Sequence, residues 1–297
     1  MPNPDVYLSE AEFIKAKPSE IGFEKHKFCS VSTTQCITYL TAAPYQAADF
    51  SPDSSVYYNL HAIGNSVENT ISHRMTPDKF SRFKGTALLL HGYGGSKEAM
   101  MAMAIYFRAL GMNVVIPDLF GHGESKEAFA FAAKEHNILD ELLAKLALNQ
   151  IDKRTVVVGH SMGALTASNL LSSENVNAAI LLAPMMSFDL AAKEYLPYKS
   201  PLLSRFFYSR IDDIVSQTMA DAAVTIQETN LLSKLAYAEK PVLLINSDVD
   251  SLSPPAYFSS VQNEFVEKVI FKTRSHSSLM VFDGDDVGEI ESWLTEL

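Results

Sequence analysis

The run Thr155-Val156-Val157-Val158-Gly159-His160-Ser161-Met162-Gly163-Ala164-Leu165 decides how the rest of the chain is read. Four consecutive β-branched residues form a short strand, and the Ala- and Leu-rich stretch from Met162 forms a helix. Between them the backbone must turn sharply at Gly159-x-Ser161-x-Gly163. A Gly-x-Ser-x-Gly match alone is weak, because at ordinary glycine and serine frequencies of about 7% a chain of this length yields one roughly one time in ten. Its position gives it physical content. At a strand-to-helix turn the serine backbone is strained, its hydroxyl stands clear of the sheet, and the free N–H groups of the helix start favour negative charge beside it. The alternative is a glycine-rich turn around an inert serine.

Working outward, strand and helix alternate. Apolar, β-branched segments fall at Thr86 to Leu90, Asn113 to Pro117, Thr155 to Val158, Ala178 to Ala183, Pro241 to Ile245 and Val266 to Lys272. Most are apolar throughout, as strands covered on both faces are. Helical stretches lie at Lys97 to Leu110, about Lys126 to Asn149, Met162 to Leu171, Pro254 to Phe265 and Gly288 to Leu297. The pattern implies an α/β fold: a mostly parallel sheet of about eight strands with helices on both faces and ligands beyond the carboxyl ends of the strands. Two regions break the rhythm. Residues 1–85 read as leading antiparallel strands, with a hairpin from Phe28 to Leu40, followed by a polar, loop-rich insertion over about 45–83 that passes through Asn65 and Asn69. Residues 185–240 are too long for a simple connection between helix and strand and read as a small helical cap. The core would then comprise residues 1–184 and 241–297.

Bulk properties narrow the function classes. With 297 residues, 47% hydrophobic and 20% charged, the chain can bury a large core. A net charge of −11 repels phosphate backbones and anionic headgroups, so no nucleic-acid partner and no strong electrostatic membrane binding are expected. Met1 to Asp5 lacks the basic and apolar pattern of a secretory leader, and no run reaches the roughly 18 apolar residues of a membrane span; the expectation is a cytoplasmic protein with no integral membrane segment. Cys29 and Cys36 read as two ordinary thiols, although one early hairpin could hold both and so pair them. No metal or cofactor is called for, and the oligomeric state, monomer or dimer, is left open.

Upstream of the serine, Leu88-Leu89-Leu90-His91-Gly92-Tyr93-Gly94-Gly95 ends a strand in a loop able to present backbone N–H groups to the same point. Acyl transfer needs two such donors for its oxyanion, and the N–H groups of Tyr93 and Met162 are the candidates. His91 reads as a brace of that loop. Asp118 and His122, in Pro117-Asp118-Leu119-Phe120-Gly121-His122-Gly123-Glu124-Ser125, read as residues that shape the site. Together with the segments around Ser161, Asp250 and His276, these motifs resemble the α/β-hydrolase superfamily, near the monoacylglycerol-lipase and lysophospholipase-like esterases. The likeness runs from Thr86 to the C-terminal end.

The resemblance implies an acid on the loop after the strand Val242 to Ile245 and a histidine on the loop after the last strand. Asp250 and His276 fit, in the order Ser, Asp, His usual for this fold. Asp248 is the runner-up acid, and Ser275 stands where relatives usually have glycine. The implied activity is hydrolysis of a small-molecule acyl ester through an acyl-enzyme. Tyr93, Tyr195, Tyr198, Phe206 and Phe207 are expected to line an apolar substrate site. Thioesterase, C–C bond hydrolase and aminopeptidase activities, an acyltransferase and a non-catalytic receptor remain as alternatives. His26, His61, His73 and His136 read as surface or packing residues.

Overall fold

The computed structural model describes residues 6–9, 17–64, 67–148 and 154–297. Its strands are β1 (Val6–Ser9), β2 (Glu24–Cys29), β3 (Cys36–Ala42), β4 (Val56–Gly64), β5 (Val67–Met75), β6 (Thr86–Leu90), β7 (Asn113–Pro117), β8 (Thr155–His160), β9 (Ala178–Leu182), β10 (Val242–Ser247) and β11 (Val266–Phe271). The helices are α1 (Met101–Leu110), α2 (His136–Ala147), α3 (Met162–Leu170), α4 (Phe188–Lys199), α5 (Pro201–Phe207), α6 (Ile211–Asp221), α7 (Ile226–Thr229), α8 (Leu231–Ala236) and α9 (Val287–Thr295).

The main sheet has eight strands in the order β11-β10-β9-β8-β6-β7-β3-β2. Strands β6 to β11 run parallel to one another, while β3 runs antiparallel to both of its neighbours, β7 and β2. The expected α/β architecture is therefore present. Side chains alternate between the two faces of each strand. Ala87, Leu89, Val156, Val158, Ile180, Leu243 and Ile245 join α1 and α9 in one core. Their neighbours Leu88, Leu90, Val157, Leu181, Val242 and Leu244 join α2, α3 and α8 in the other. Because β7 lies on one side of β6 and β8 on the other, the chain reverses direction at β6. Such a reversal opens a crevice at the carboxyl ends of the flanking strands, and it lies between the loops that follow β6 and β8.

The leading region differs from its sequence reading. The stretch read as a polar loop is a hairpin: β4 and β5 pair antiparallel from Val56↔Met75 to Gly64↔Val67, and β1 adds to β4 to complete a second, three-stranded sheet. Polar residues on its outer register, such as Glu68 and Thr70, mask the period of two. Asn65 and the expected helix end Asn149 lie outside the described residues. Tyr58, Ile71 and Met75 of the second sheet share a core with α1, so every residue of α1 is buried.

Cys29 and Cys36, expected as free thiols, form a disulfide. They are directly opposite in the β2–β3 register, and this brings their side chains together. Two expected helices also shrink. Residues 126–135 are irregular, with bends and short turns and no helix, and Phe131 and Ala132 stand at φ 56° and 60°. Beyond the short 3-10 turn Pro255–Phe258, Asn263 gives its side-chain amide to the carbonyls of Leu235 and Ala238 and accepts from Phe265 N–H; such local bonds compete with a helix ladder.

Residues 185–240 form the helices α4 to α8. Phe188, Ala192 and Leu196 of α4 pack with Ile211, Val215 and Met219 of α6 and with Phe131 in a satellite core. Among the described residues no helix is long and apolar enough to cross a membrane.

Candidate active site

Ser161 follows β8 at φ 53° and ψ −115°, a region that residues bearing a Cβ rarely occupy. Neighbouring backbone holds it there. Its N–H donates to Leu182 O at 2.9 Å, and its carbonyl accepts from the N–H groups of Ala164 and Met185, each at 3.1 Å. Glycine is required close by: a Cβ on Gly163 would lie 2.5 and 2.6 Å from the carbonyl oxygens of Leu90 and His91. From the β6 side, a Cβ on Gly92 would lie 3.2 Å from Ser161 Cβ. The two glycines let the loops after β6 and β8 touch at the crevice.

His276 comes from the loop after β11 and Asp250 from the loop after β10. The structure brings both to Ser161. His276 Nε2 lies 2.9 Å from Ser161 Oγ, and His276 Nδ1 lies 2.7 Å from Asp250 Oδ2. A carboxylate can only accept, so Nδ1–H donates to Asp250 and Nε2 is left to accept from the serine hydroxyl. Asp250 is 2% exposed, and its other oxygen accepts from Leu252 N–H at 2.9 Å. Asp248 does not reach the imidazole; its Oδ1 accepts from Thr273 N–H at 2.8 Å.

His160 and His91 support this centre. Burial, and then the nearby His276 ring, lower the pKa of His160 to about 3. The neutral ring donates Nε2–H to the carbonyl of His276 at 2.9 Å, while its Nδ1 has no partner among the described residues. His91 is lowered to about 4, chiefly by burial. It donates Nδ1–H to Gly92 O at 2.8 Å and accepts from Leu119 N–H at 3.1 Å, which ties the loop after β6 to the loop after β7.

Asp118 accepts from the backbone N–H of Lys97 at 2.8 Å and from its ammonium at 2.7 Å. Burial works against the charge on Lys97, but its bonds to Asp118 and Glu124 outweigh it and raise the ammonium's pKa. His122 stacks edge-on to Tyr93 and Phe129. Among the described residues neither Asp118 nor His122 hydrogen-bonds the serine–histidine pair. His26 bonds Thr41, and His61 pairs with Glu68.

From Tyr93, which follows Gly92, the aromatic rings form a chain. Tyr93 meets Tyr195 at 5.7 Å between centroids, and Tyr195 meets Tyr198 at 6.2 Å. On its other side Tyr93 meets Phe129 at 5.7 Å, which leads to Phe131 at 4.5 Å and on to Phe188 at 4.4 Å. Phe206 and Phe207, expected in this lining, are not brought to it. They stand 67% and 44% exposed on α5, a helix with no buried residue. Phe129 and Phe131, in a segment whose composition suggests a helix, and Phe188 join this chain although no motif in the sequence marks them. The N–H of Met162, at the first helical position of α3, has no acceptor within the helix, and Tyr93 directly follows Gly92 on the facing loop.

Residues 87–287 match the model of the Alpha/beta hydrolase family. Over 90 residues the chain is 34% identical to Protein ABHD8 of Mus musculus, a stretch that makes up 30% of this chain and 20% of that protein. The matched stretch is thus a small part of that relative. Among solved structures, the Pyrococcus furiosus esterase Pf2001 is similar with a TM-score of 0.61 and 17% identity, over 100% of this chain and 95% of that one. A 2,6-dihydroxy-pseudo-oxynicotine hydrolase is similar with a TM-score of 0.62 and 17% identity, over 96% of this chain and 71% of that one. A thermophilic esterase from Thermogutta terrifontis has a TM-score of 0.56 and 16% identity, over 92% of this chain and 98% of that one. At these identities the likeness is one of fold.

Proposed function

The chain belongs to the alpha/beta hydrolase family, and on that premise we propose that it is a serine hydrolase cleaving carboxylic esters of apolar acyl or aryl groups. One observation carries the reading: an unbroken relay from Asp250 through His276 to a serine held at positive φ, with contacts of 2.7 and 2.9 Å. A serine hydroxyl is too weak an acid to attack unaided. Within hydrogen-bond reach of a neutral imidazole it loses its proton as its oxygen bonds to the ester carbonyl. His276 takes that proton and then gives it to the departing alcohol, while Asp250 fixes the ring and stabilises the imidazolium. The N–H groups of Tyr93 and Met162 stabilise the oxyanion of the tetrahedral intermediate. Water, deprotonated by the same histidine, releases the acid and regenerates the serine. Helices α4 to α8 act as the cap over this site.

The aromatic chain from Phe188 through Phe131, Phe129 and Tyr93 to Tyr195 and Tyr198 supports an apolar substrate. The test uses a fluorophosphonate probe and p-nitrophenyl acyl esters. One adduct is expected per chain, on Ser161, and Ser161→Ala is expected to lower kcat at least about 10³-fold. Unchanged turnover in the purified Ser161→Ala protein would overturn the reading. A panel of acyl, thioester and aminoacyl substrates ranked by kcat/KM separates ester hydrolysis from the related chemistries.

A further inference from the structure

We propose that Asn69, on the β4–β5 hairpin outside the main sheet, is a positioning residue for His276. The claim rests on the reading of Ser161 and His276 as reacting groups. The loop that carries His276 is held from the sheet side by Ser247 Oγ, which accepts from Arg274 N–H at 3.1 Å, and by Asp248, which accepts from Thr273 N–H. From the end of β8, His160 Nε2–H also donates to the carbonyl of His276, and on the hairpin side the loop is held, among the described residues, by one side-chain amide. Asn69 Nδ2–H donates to Thr273 O at 2.7 Å, and Asn69 Oδ1 accepts from Ser275 N–H at 2.9 Å. Among the described residues neither of these two backbone groups has another hydrogen-bond partner. The clamp spans Arg274 and ends at the residue directly before His276.

Thr273 sits at φ 57°, a left-handed conformation unfavourable for a β-branched residue, so this loop needs outside support to keep its course. The hairpin can supply it because it is itself fixed to the following segment. Tyr58 OH donates to Phe282 O at 2.6 Å, Ser72 N–H donates to Asp283 Oδ2 at 3.0 Å, and Gly284 N–H donates to Ser72 O at 3.0 Å. At its end, Gly64 lies so close to the loop that a Cβ there would be 3.2 Å from Ser275 Cβ, 3.3 Å from Ser277 Oγ and 3.3 Å from Tyr198 OH. Asn69 shares the inward register of β5 with the buried Ile71 and Met75 but is itself only half-buried, so packing does not fix its role. Its amide instead sets the direction in which the chain enters His276, and hence where the imidazole meets Ser161.

The test compares wild type, Asn69→Ala and Asn69→Asp. Reactive serine is counted by fluorophosphonate titration, and turnover of p-nitrophenyl butyrate is expressed per titrated serine. Misplacing a catalytic group by about 1 Å costs on the order of a hundredfold, so Asn69→Ala is expected to lower kcat per titrated serine about ten- to a hundredfold while KM changes little. Asn69→Asp keeps an acceptor for Ser275 N–H but sets a carboxylate oxygen against the carbonyl of Thr273, and should lower kcat per titrated serine at least as far as Asn69→Ala. A purely structural role would reduce the titratable fraction and leave kcat per titrated serine intact, which overturns the proposal. If wild-type Ser161 fails to label, the hydrolase reading fails. The positioning claim is then read from proton NMR of His276 Nδ1–H, whose exchange with water should be at least about tenfold faster in Asn69→Ala; an unchanged rate overturns it.

Discussion

At the residue scale, two nearby carboxylates have different partners, set by a separation of two positions on one loop. Asp250 is buried and bonded to the imidazole, whereas Asp248 bonds the backbone of Thr273. Asp250→Asn is therefore expected to lower kcat by about 10⁴, because an amide can present its N–H to Nδ1 and stabilise the wrong tautomer. Asp248→Asn keeps an acceptor for Thr273 N–H and is expected to cost about tenfold or less. Equal losses in the two variants would show that the acid's role is shared. The serine was legible because the glycines, the strand and the helix around it lie within a dozen residues of one another. Asn69 was not legible. It acts on groups 204 and 206 positions away, and a single side-chain amide leaves no periodic trace in a sequence.

At the scale of elements, the parallel strands were readable because their buried runs are apolar on both faces, as β6, β8, β9 and β10 are. The β4–β5 hairpin escaped notice because only one of its faces packs, and that only in part. The segment before α2 misled for another reason. Its Ala- and Phe-rich composition suits a helix, but Phe131 and Ala132 adopt positive φ, and Thr166 Oγ1–H is bonded to the carbonyl of Ala132. On the edge strand β2, the Cys29–Cys36 disulfide closes a short loop far along the sheet from β8. Cys36→Ser is expected to lower unfolding stability by roughly 2 kcal/mol with no change in kcat. Thermal midpoints with and without reductant, measured beside turnover, check this; a parallel loss of activity would contradict it.

For the whole molecule, buried titratable groups pull stability in opposite directions with pH. His91 and His160 are lowered to about 4 and about 3. The unfolded chain therefore binds protons at these sites below about pH 6.5 while the folded chain does not, and stability falls as the pH drops through that window, by roughly 3 kcal/mol for each by pH 4. Glu135 is raised to about 7, chiefly by burial. Here the folded chain keeps a proton that the unfolded chain has released above about 4.5, so stability rises as the pH falls from 7 to 4.5. Glu135→Gln removes that compensation. Urea unfolding across this range should show a loss steeper by about 1 kcal/mol per pH unit; an unchanged slope would mean that Glu135 is ionised in the native state. The hairpin that grips the histidine loop also has a consequence in time. Its two bonds to that loop are among the most distant in the chain, and contacts closing such long loops form late. During refolding from urea, helical circular dichroism should return before reactivity toward the fluorophosphonate probe, so that a chain already wound and collapsed is still chemically silent until its early and late segments meet.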